Sequence, residues 1–158
     1  METDMSLVVR PRRPADVLEV VSWIASAKVL YSFSGARLQW PLTSIQLENL
    51  THTEGLSPFV VVGSADRLVG HFDLRVDERV AWLGRVAVKP EFQGRGLAIE
   101  VVNAALVQAQ ELGADAVRLR VIATNEPAIR TYLRAGFATG LPDPERPSVL
   151  LMERSLLR

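Results

Sequence analysis

Residues 93–98, Gln-Gly-Arg-Gly-Leu-Ala, stand where an apolar strand pattern gives way to a helical one. The apolar run 82–88 reads as a buried strand, and the helical pattern opened by the loop runs to Gly113. Gly94 and Gly96 let the backbone come close to a ligand. The helix start adds N–H groups without intrahelical partners and the positive end of a helix dipole. Strand, glycine turn and helix in this order suit a phosphate, so a phosphorylated cofactor is expected here. Two common phosphate loops do not fit. A nucleoside-triphosphate loop needs Lys-Ser/Thr after its second glycine, and no lysine follows Gly96. A dinucleotide fingerprint puts a third glycine at position 99, which is Ile99.

The spacing Gln93-x-x-Gly96-x-Ala98 resembles the pyrophosphate loop of the GCN5-related N-acetyltransferase (GNAT) superfamily, Gln/Arg-x-x-Gly-x-Gly/Ala. Twenty-seven residues past Ala98, Asn125 opens Asn-Glu-Pro-Ala-Ile-Arg-Thr-Tyr-Leu-Arg-Ala-Gly-Phe. This is similar to the second motif of that superfamily: an asparagine, a short helix carrying a tyrosine, then Gly-Phe. The likeness is close over residues 80–138 and loose towards both ends.

The resemblance implies an α/β fold. Its single mixed, mostly antiparallel sheet would carry helices on both faces and a splayed central strand pair that takes the pantetheine arm of acetyl-CoA. Backbone N–H groups of Gly94, Arg95, Gly96, Leu97 and Ala98, with Gln93 at the loop's start, would hold the pyrophosphate, and the Arg95 side chain could also reach it. The backbone of Val86, Ala87 and Val88 would pair with the pantetheine amides like an added strand. The Val86 N–H would be the oxyanion donor. Tyr132 would be the general acid towards the departing thiolate, giving its proton to the sulfur. Asn125 would cap its helix and touch the cofactor arm.

A general base is harder to place. Some family members carry a glutamate four residues before the oxyanion donor, and Trp82 stands there in this chain. The candidates that remain are His71 and Asp73, which share one strand face, Glu78 in the following turn, and water. The aromatic residues Tyr31, Phe33, Trp40 and Trp82 are expected to line the acceptor site. The acceptor itself, the length of the acyl group and the oligomeric state are left open, a homodimer included. The expected activity is acetyl transfer to a primary amine of a small molecule, amino-acid derivative or protein. With no cysteine to carry an acetyl group, direct attack in a ternary complex follows. The alternative is a non-catalytic acyl-CoA sensor on the same fold, which has no use for the Tyr132 hydroxyl.

Composition narrows the classes. A length of 158 residues with 48% hydrophobic content suits one domain with a sizeable core. The absence of cysteine excludes disulfides, thiolate nucleophiles and Cys-zinc sites, and His52 and His71 alone make no rich metal site. No apolar run approaches the ~20 residues of a membrane span. The acidic start Met-Glu-Thr-Asp-Met is no signal peptide, so a cytoplasmic location is the default. No basic run suggests nucleic acid. Net charge is zero, but residues 1–78 carry seven basic and ten acidic side chains against eleven and eight in 79–158. The half with the glycine loop is the positive one, as an anionic cofactor favours.

Periodicity and turn residues supply the elements. Residues 1–5 are expected to fray. Residues 7–10 read as a strand. A helix starts at Pro14-Ala15-Asp16 and buries Val17, Val20, Val21 and Ile24. Residues 28–42 are read as irregular, with 33–41 a long connection. Thr43-Ser44-Ile45-Gln46 has capping-box form for a helix to about Thr53. Strands are expected over 57–62, 68–76, 80–88, 117–122 and 147–152. Helices are expected from the glycine loop to Gly113, buried through Ile99, Val102, Leu106 and Ala109, and from Asn125 to near Gly136.

Overall fold

The computed structural model describes residues 6–157; the fraying expected of residues 1–5 concerns a segment outside them. The elements are β1 (Val8–Pro11), α1 (Pro14–Ser22), α2 (Ala27–Ser34), α3 (Ser44–Thr53), β2 (Ser57–Val62), β3 (Leu68–Asp77), β4 (Val80–Val88), α4 (Leu97–Glu111), β5 (Ala116–Ile122), α5 (Glu126–Arg134), β6 (Ala138–Asp143) and β7 (Arg146–Ser155). One seven-stranded sheet has the order β1-β2-β3-β4-β5-β7-β6. All neighbours are antiparallel except β4 and β5. A parallel pair needs a crossover, and α4 supplies it. This is the mixed, mostly antiparallel α/β architecture expected, with helices on both faces.

Strand alternation explains the two faces. In β2, Phe59 and Val61 join a core under α4, while Val60 and Val62 join a second core under α1, α2 and α3. In β3, Phe72 and Leu74 take the α4 side, so His71 and Asp73 face the other way. On the α4 side, Val101, Val102, Ala105, Leu106 and Ala109 are buried, and Ile99 packs partly covered against them. Gly70 fits β3 closely beneath that helix: a Cβ there would lie 2.5 Å from Val101 Cγ2. Glycine 113, at φ 89°, follows α4 as expected.

Two segments differ from the sequence reading. Residues 27–34 are not irregular but form α2, where the Ser26 hydroxyl accepts from the Val29 N–H and Leu30, Phe33 and Ser34 are buried. The cap residue and the 30/33/34 spacing were there to be read; aromatic and β-branched neighbours masked them. Only a short 3-10 turn, Gly35–Arg37, and the stretch to Pro41 connect it onward. Strand β6 was not expected at all. Thr-Gly-Leu-Pro-Asp has no alternation, and its side chains are exposed up to Asp143. It lies at the sheet edge, where glycine and proline are tolerated. Its partner β7 is correspondingly longer than the strand expected over 147–152.

Candidate active site

Strands β4 and β5 pair only from Val80/Ala116 to Leu83/Leu119. Beyond that point β5 continues against β7 alone, and β4 runs on from Gly84 to Val88 with no neighbour on its β5 side. The sheet is therefore splayed at its middle. A cavity of about 520 Å³ fills the wedge, lined by β4 residues 84–88, by Gln93 and Ala98, and by Arg120, Val121, Ile122, Asn125, Ala128 and Tyr132. At the β4 end, the Lys89 N–H donates to the Val69 carbonyl on β3. Alternation along the strand then turns the backbone groups of Val88 and Val86 towards the cavity. The Gln93 side chain donates to the Val88 carbonyl at 3.0 Å, closing one of those groups.

The glycine loop meets this wedge at the start of α4. Gly94 and Gly96 have φ of 78° and 74°, with open space where a Cβ would stand. They are glycines because the backbone is left-handed there, not because a neighbour crowds them. No side chain caps α4, whereas Asn125 Oδ1 accepts from the Ala128 N–H at the start of α5. Bare N–H groups at a glycine-cradled helix start fit a pyrophosphate. The Arg95 guanidinium lies over the Phe92 ring, 5.9 Å from its centroid.

What holds β4 open was not foreseen. Between His71/Ala87 and Asp73/Gly84, β4 carries one more residue than β3, a β-bulge with Arg85 at φ 46°. The Arg85 guanidinium turns back to the fully buried Asp73 in a two-point pair, Nε at 2.6 Å and Nη2 at 2.8 Å. Gly84 leaves room for that carboxylate, since a Cβ would lie 3.2 Å from Asp73 Oδ1. The Arg85 carbonyl accepts from His71 Nδ1 at 2.8 Å. Arg12 Nη1 can only donate, so His71 Nε2 accepts from it at 3.1 Å. Those two bonds define a neutral imidazole with the proton on Nδ1. Burial pushes its pKa down from 6.5 to about 4.

The candidate bases therefore have other occupations. His71 has no lone pair left, Asp73 is spent on Arg85, and neither lines the cavity. Glu78 is exposed in the β3–β4 turn, eight residues along the strand from Val86, which is about 25 Å. Tyr132 does line the cavity, half-buried and edge-on to Phe137 at 5.7 Å. Burial pushes its phenol up to about 12. This corrects the simple picture of a proton handed to the thiolate. A phenol at pKa ~10 is already a weaker acid than a thiol at ~8.5, so that transfer runs uphill by about 2 kcal/mol. Burial widens the gap, so the phenol there is better suited to donating a hydrogen bond than to giving up its proton.

The acceptor side of the cavity mixes aromatics with arginines. Tyr31, Phe33 and Trp82 line it as expected, joined by Trp23; Trp40 does not and is instead half exposed. Arg37, Arg75, Arg85, Arg120 and Arg146 also line it. Arg120 stacks on Trp82, 4.3 Å from the ring centroid. Burial first, and then repulsion from Arg85, Arg120 and Arg146, lowers the pKa of the Arg37 guanidinium. The arginine cluster was missed because its members come from five separate stretches of chain. Among the described residues, no cluster of His, Cys, Asp and Glu could hold a metal ion, and no helix is long and apolar enough to cross a membrane.

The model of the acetyltransferase (GNAT) family matches residues 22–137. The chain belongs to the GNAT acetyltransferase family. The family's acyl donor is acetyl-CoA, and the cradle described above fits its pyrophosphate and pantetheine. Among curated relatives, this GNAT chain is 40% identical over 80 residues to the mycothiol acetyltransferase of Actinosynnema mirum, covering 50% of this chain and 27% of that protein. It is 34% identical over 92 residues to that of Propionibacterium freudenreichii, covering 53% and 30%. The matches thus span less than a third of those relatives' length. Among solved structures, it is similar to a spermidine N-acetyltransferase from Vibrio cholerae in complex with CoA and spermine, with TM-score 0.74, 21% identity and coverage of 94% and 95%. It is also similar to the ribosomal-protein-S18-alanine N-acetyltransferase of Escherichia coli, with TM-score 0.71, 17% identity and coverage of 96% and 95%. At such identity these two likenesses speak for the fold.

Proposed function

We propose that this chain is an acetyl-CoA-dependent N-acetyltransferase that acetylates a primary amine by direct attack in a ternary complex. One observation carries the reading: the unpaired stretch of β4, the uncapped start of α4 and Tyr132 all open onto one cavity. Acetyl-CoA supplies an activated acyl thioester. Backbone N–H groups of residues 94–98 hold the pyrophosphate, and Gln93 shapes the mouth of the loop. Release of the Val88 carbonyl from Gln93 leaves it, with the Val86 backbone, to hold the pantetheine arm, while Ala87 between them stays paired with β3. The Val86 N–H stabilises charge gathering on the carbonyl oxygen, where a donor fixed in advance acts without reorganising. Tyr132 donates a hydrogen bond to the departing sulfur. Asn125 keeps α5, and with it Tyr132, in register.

The residues lining the cavity include no Asp, Glu, His or Lys. The amine's proton therefore leaves through water. The arginines assist, because neighbouring positive charge disfavours an ammonium and favours the free base. The first test is the melting temperature with excess acetyl-CoA against ATP and NAD. Ligand at about 100 times its dissociation constant contributes ~2.7 kcal/mol, a rise of roughly 5–11 °C for a domain of this size. A rise with acetyl-CoA alone supports the reading; no rise in a folded sample overturns it. Turnover with an amine then separates the enzyme from a sensor that only binds.

A further inference from the structure

Every charged side chain lining the cavity is an arginine: Arg37 after α2, Arg75 on β3, Arg85 at the bulge, Arg120 on β5 and Arg146 at the start of β7. Carboxylates pair with four of them from outside the lining. Glu54 lies 3.0 Å from Arg37, Asp77 3.9 Å from Arg75, Asp73 2.6 Å from Arg85 and Asp143 3.2 Å from Arg120. Arg146 makes no ion pair among the described residues. Each guanidinium has five N–H donors in a planar fork, so the pairs leave many unused. Two further lining residues carry buried polar groups with no partner, the Trp23 indole N–H and the Ser34 hydroxyl. Both can donate. With four charges already paired, the wall still presents the Arg146 guanidinium and spare donors, a set that suits a ligand bringing acceptor oxygens and negative charge.

Resting on the acetyltransferase reading, we infer that the acceptor is an anionic amine, whose own carboxylate or phosphate docks in the arginine cluster while its amine points at Val86. Trp82 and Phe33 line the same cavity and supply apolar surface for the body between the two ends. A polycation has no carboxylate to meet in this cavity.

The test compares matched pairs under saturating acetyl-CoA, read as kcat/KM from released thiol. The standard amino acids are set against their amides, phosphoethanolamine against ethanolamine, and spermidine serves as the cationic control. At least one anionic member should exceed its neutral partner by about tenfold or more, as charge-assisted bonds provide. The carboxylate and phosphate arms then tell which oxyanion is read. Arg146→Gln should collapse that ratio mainly through KM, and Arg146→Lys should restore part of it. Preference for amides or spermidine, equal rates within every pair, or no turnover of any anionic member overturns the inference. Acetyl-CoA binding is titrated on the same sample. If it is absent, the acetyl-transfer reading fails; if it is present with cations preferred, only the anion assignment fails.

Discussion

The two halves of the cavity are built in different ways. The half proposed for the cofactor is mostly backbone: the free edge of β4, with Gln93 and Ala98 reaching the cavity from the two ends of the glycine loop. The half proposed for the acceptor is made of side chains drawn from the turn after α1 and from α2, β3, β4, β5 and β7. Backbone donors at a glycine turn need only a local conformation, so a short stretch of sequence can encode them. Side chains that converge on one ligand need the whole sheet to be assembled first. The bulge at Arg85 joins the halves, since it lies on the open stretch of β4 while its guanidinium lines the side proposed for the acceptor.

Breaking that joint should have the largest effect. Asp73→Ala leaves Arg85 charged and unpaired in a buried site, which costs about 3–5 kcal/mol. Denaturant melts should show this loss, and an unchanged midpoint would mean that the pair does not hold the bulge. The second prediction concerns pH. The folded pKa of His71, about 4, lies below its ordinary 6.5. The unfolded chain therefore takes up this proton first. Stability should be complete above pH 6.5 and fall by about 3 kcal/mol as pH drops towards 4. Asp16 and Asp143, whose pKa values are lowered by hydrogen bonds and arginine partners against their desolvation, lose their contributions only below about 3.8. Urea melts at pH 7, 5.5 and 4.5 separate these windows, and flat stability across them would contradict the bonded, neutral imidazole.

Two smaller effects should fall within the cofactor half alone. Gly96→Glu puts a side chain on a left-handed residue and a negative charge beside the pyrophosphate. Acetyl-CoA affinity should drop by about 100-fold or more, measured by calorimetry, with the fold unchanged by circular dichroism. Retained affinity would move the phosphate site elsewhere. Tyr132→Phe removes only a hydrogen-bond donor. It should lower kcat by about 10- to 100-fold, the worth of one hydrogen bond to a charged sulfur, with the acetyl-CoA dissociation constant nearly unchanged. Equal loss in both would make Tyr132 a packing residue and weaken the case for catalysis over sensing.

Much of the fold was legible from periodicity, since the pattern of apolar residues is set by which face of each element is buried. Strand β4, helix α4, the Thr43 and Asn125 caps and the Gly113 stop all follow from local rules. Helix α2 and edge strand β6 were less legible: in one, mixed aromatic and β-branched residues blur the period, and the other has no buried face to impose one. The charge difference between the halves of the chain was a poor guide to the cavity, because Arg37 and Arg75 come from the acidic half.

By itself the sequence determined the family and most of the strands and helices, and it marked the glycine turn at the start of α4, because each rests on contacts between residues near in the chain. Tertiary structure alone decided the rest. It placed Arg12 against His71 across 59 residues and thereby chose the imidazole's tautomer. It set Asp73 on Arg85 and so occupied a second of the candidate bases. It gathered five distant arginines around one cavity. Protonation state and local potential depend on distances of a few ångströms between such groups, and only the assembled sheet sets those distances.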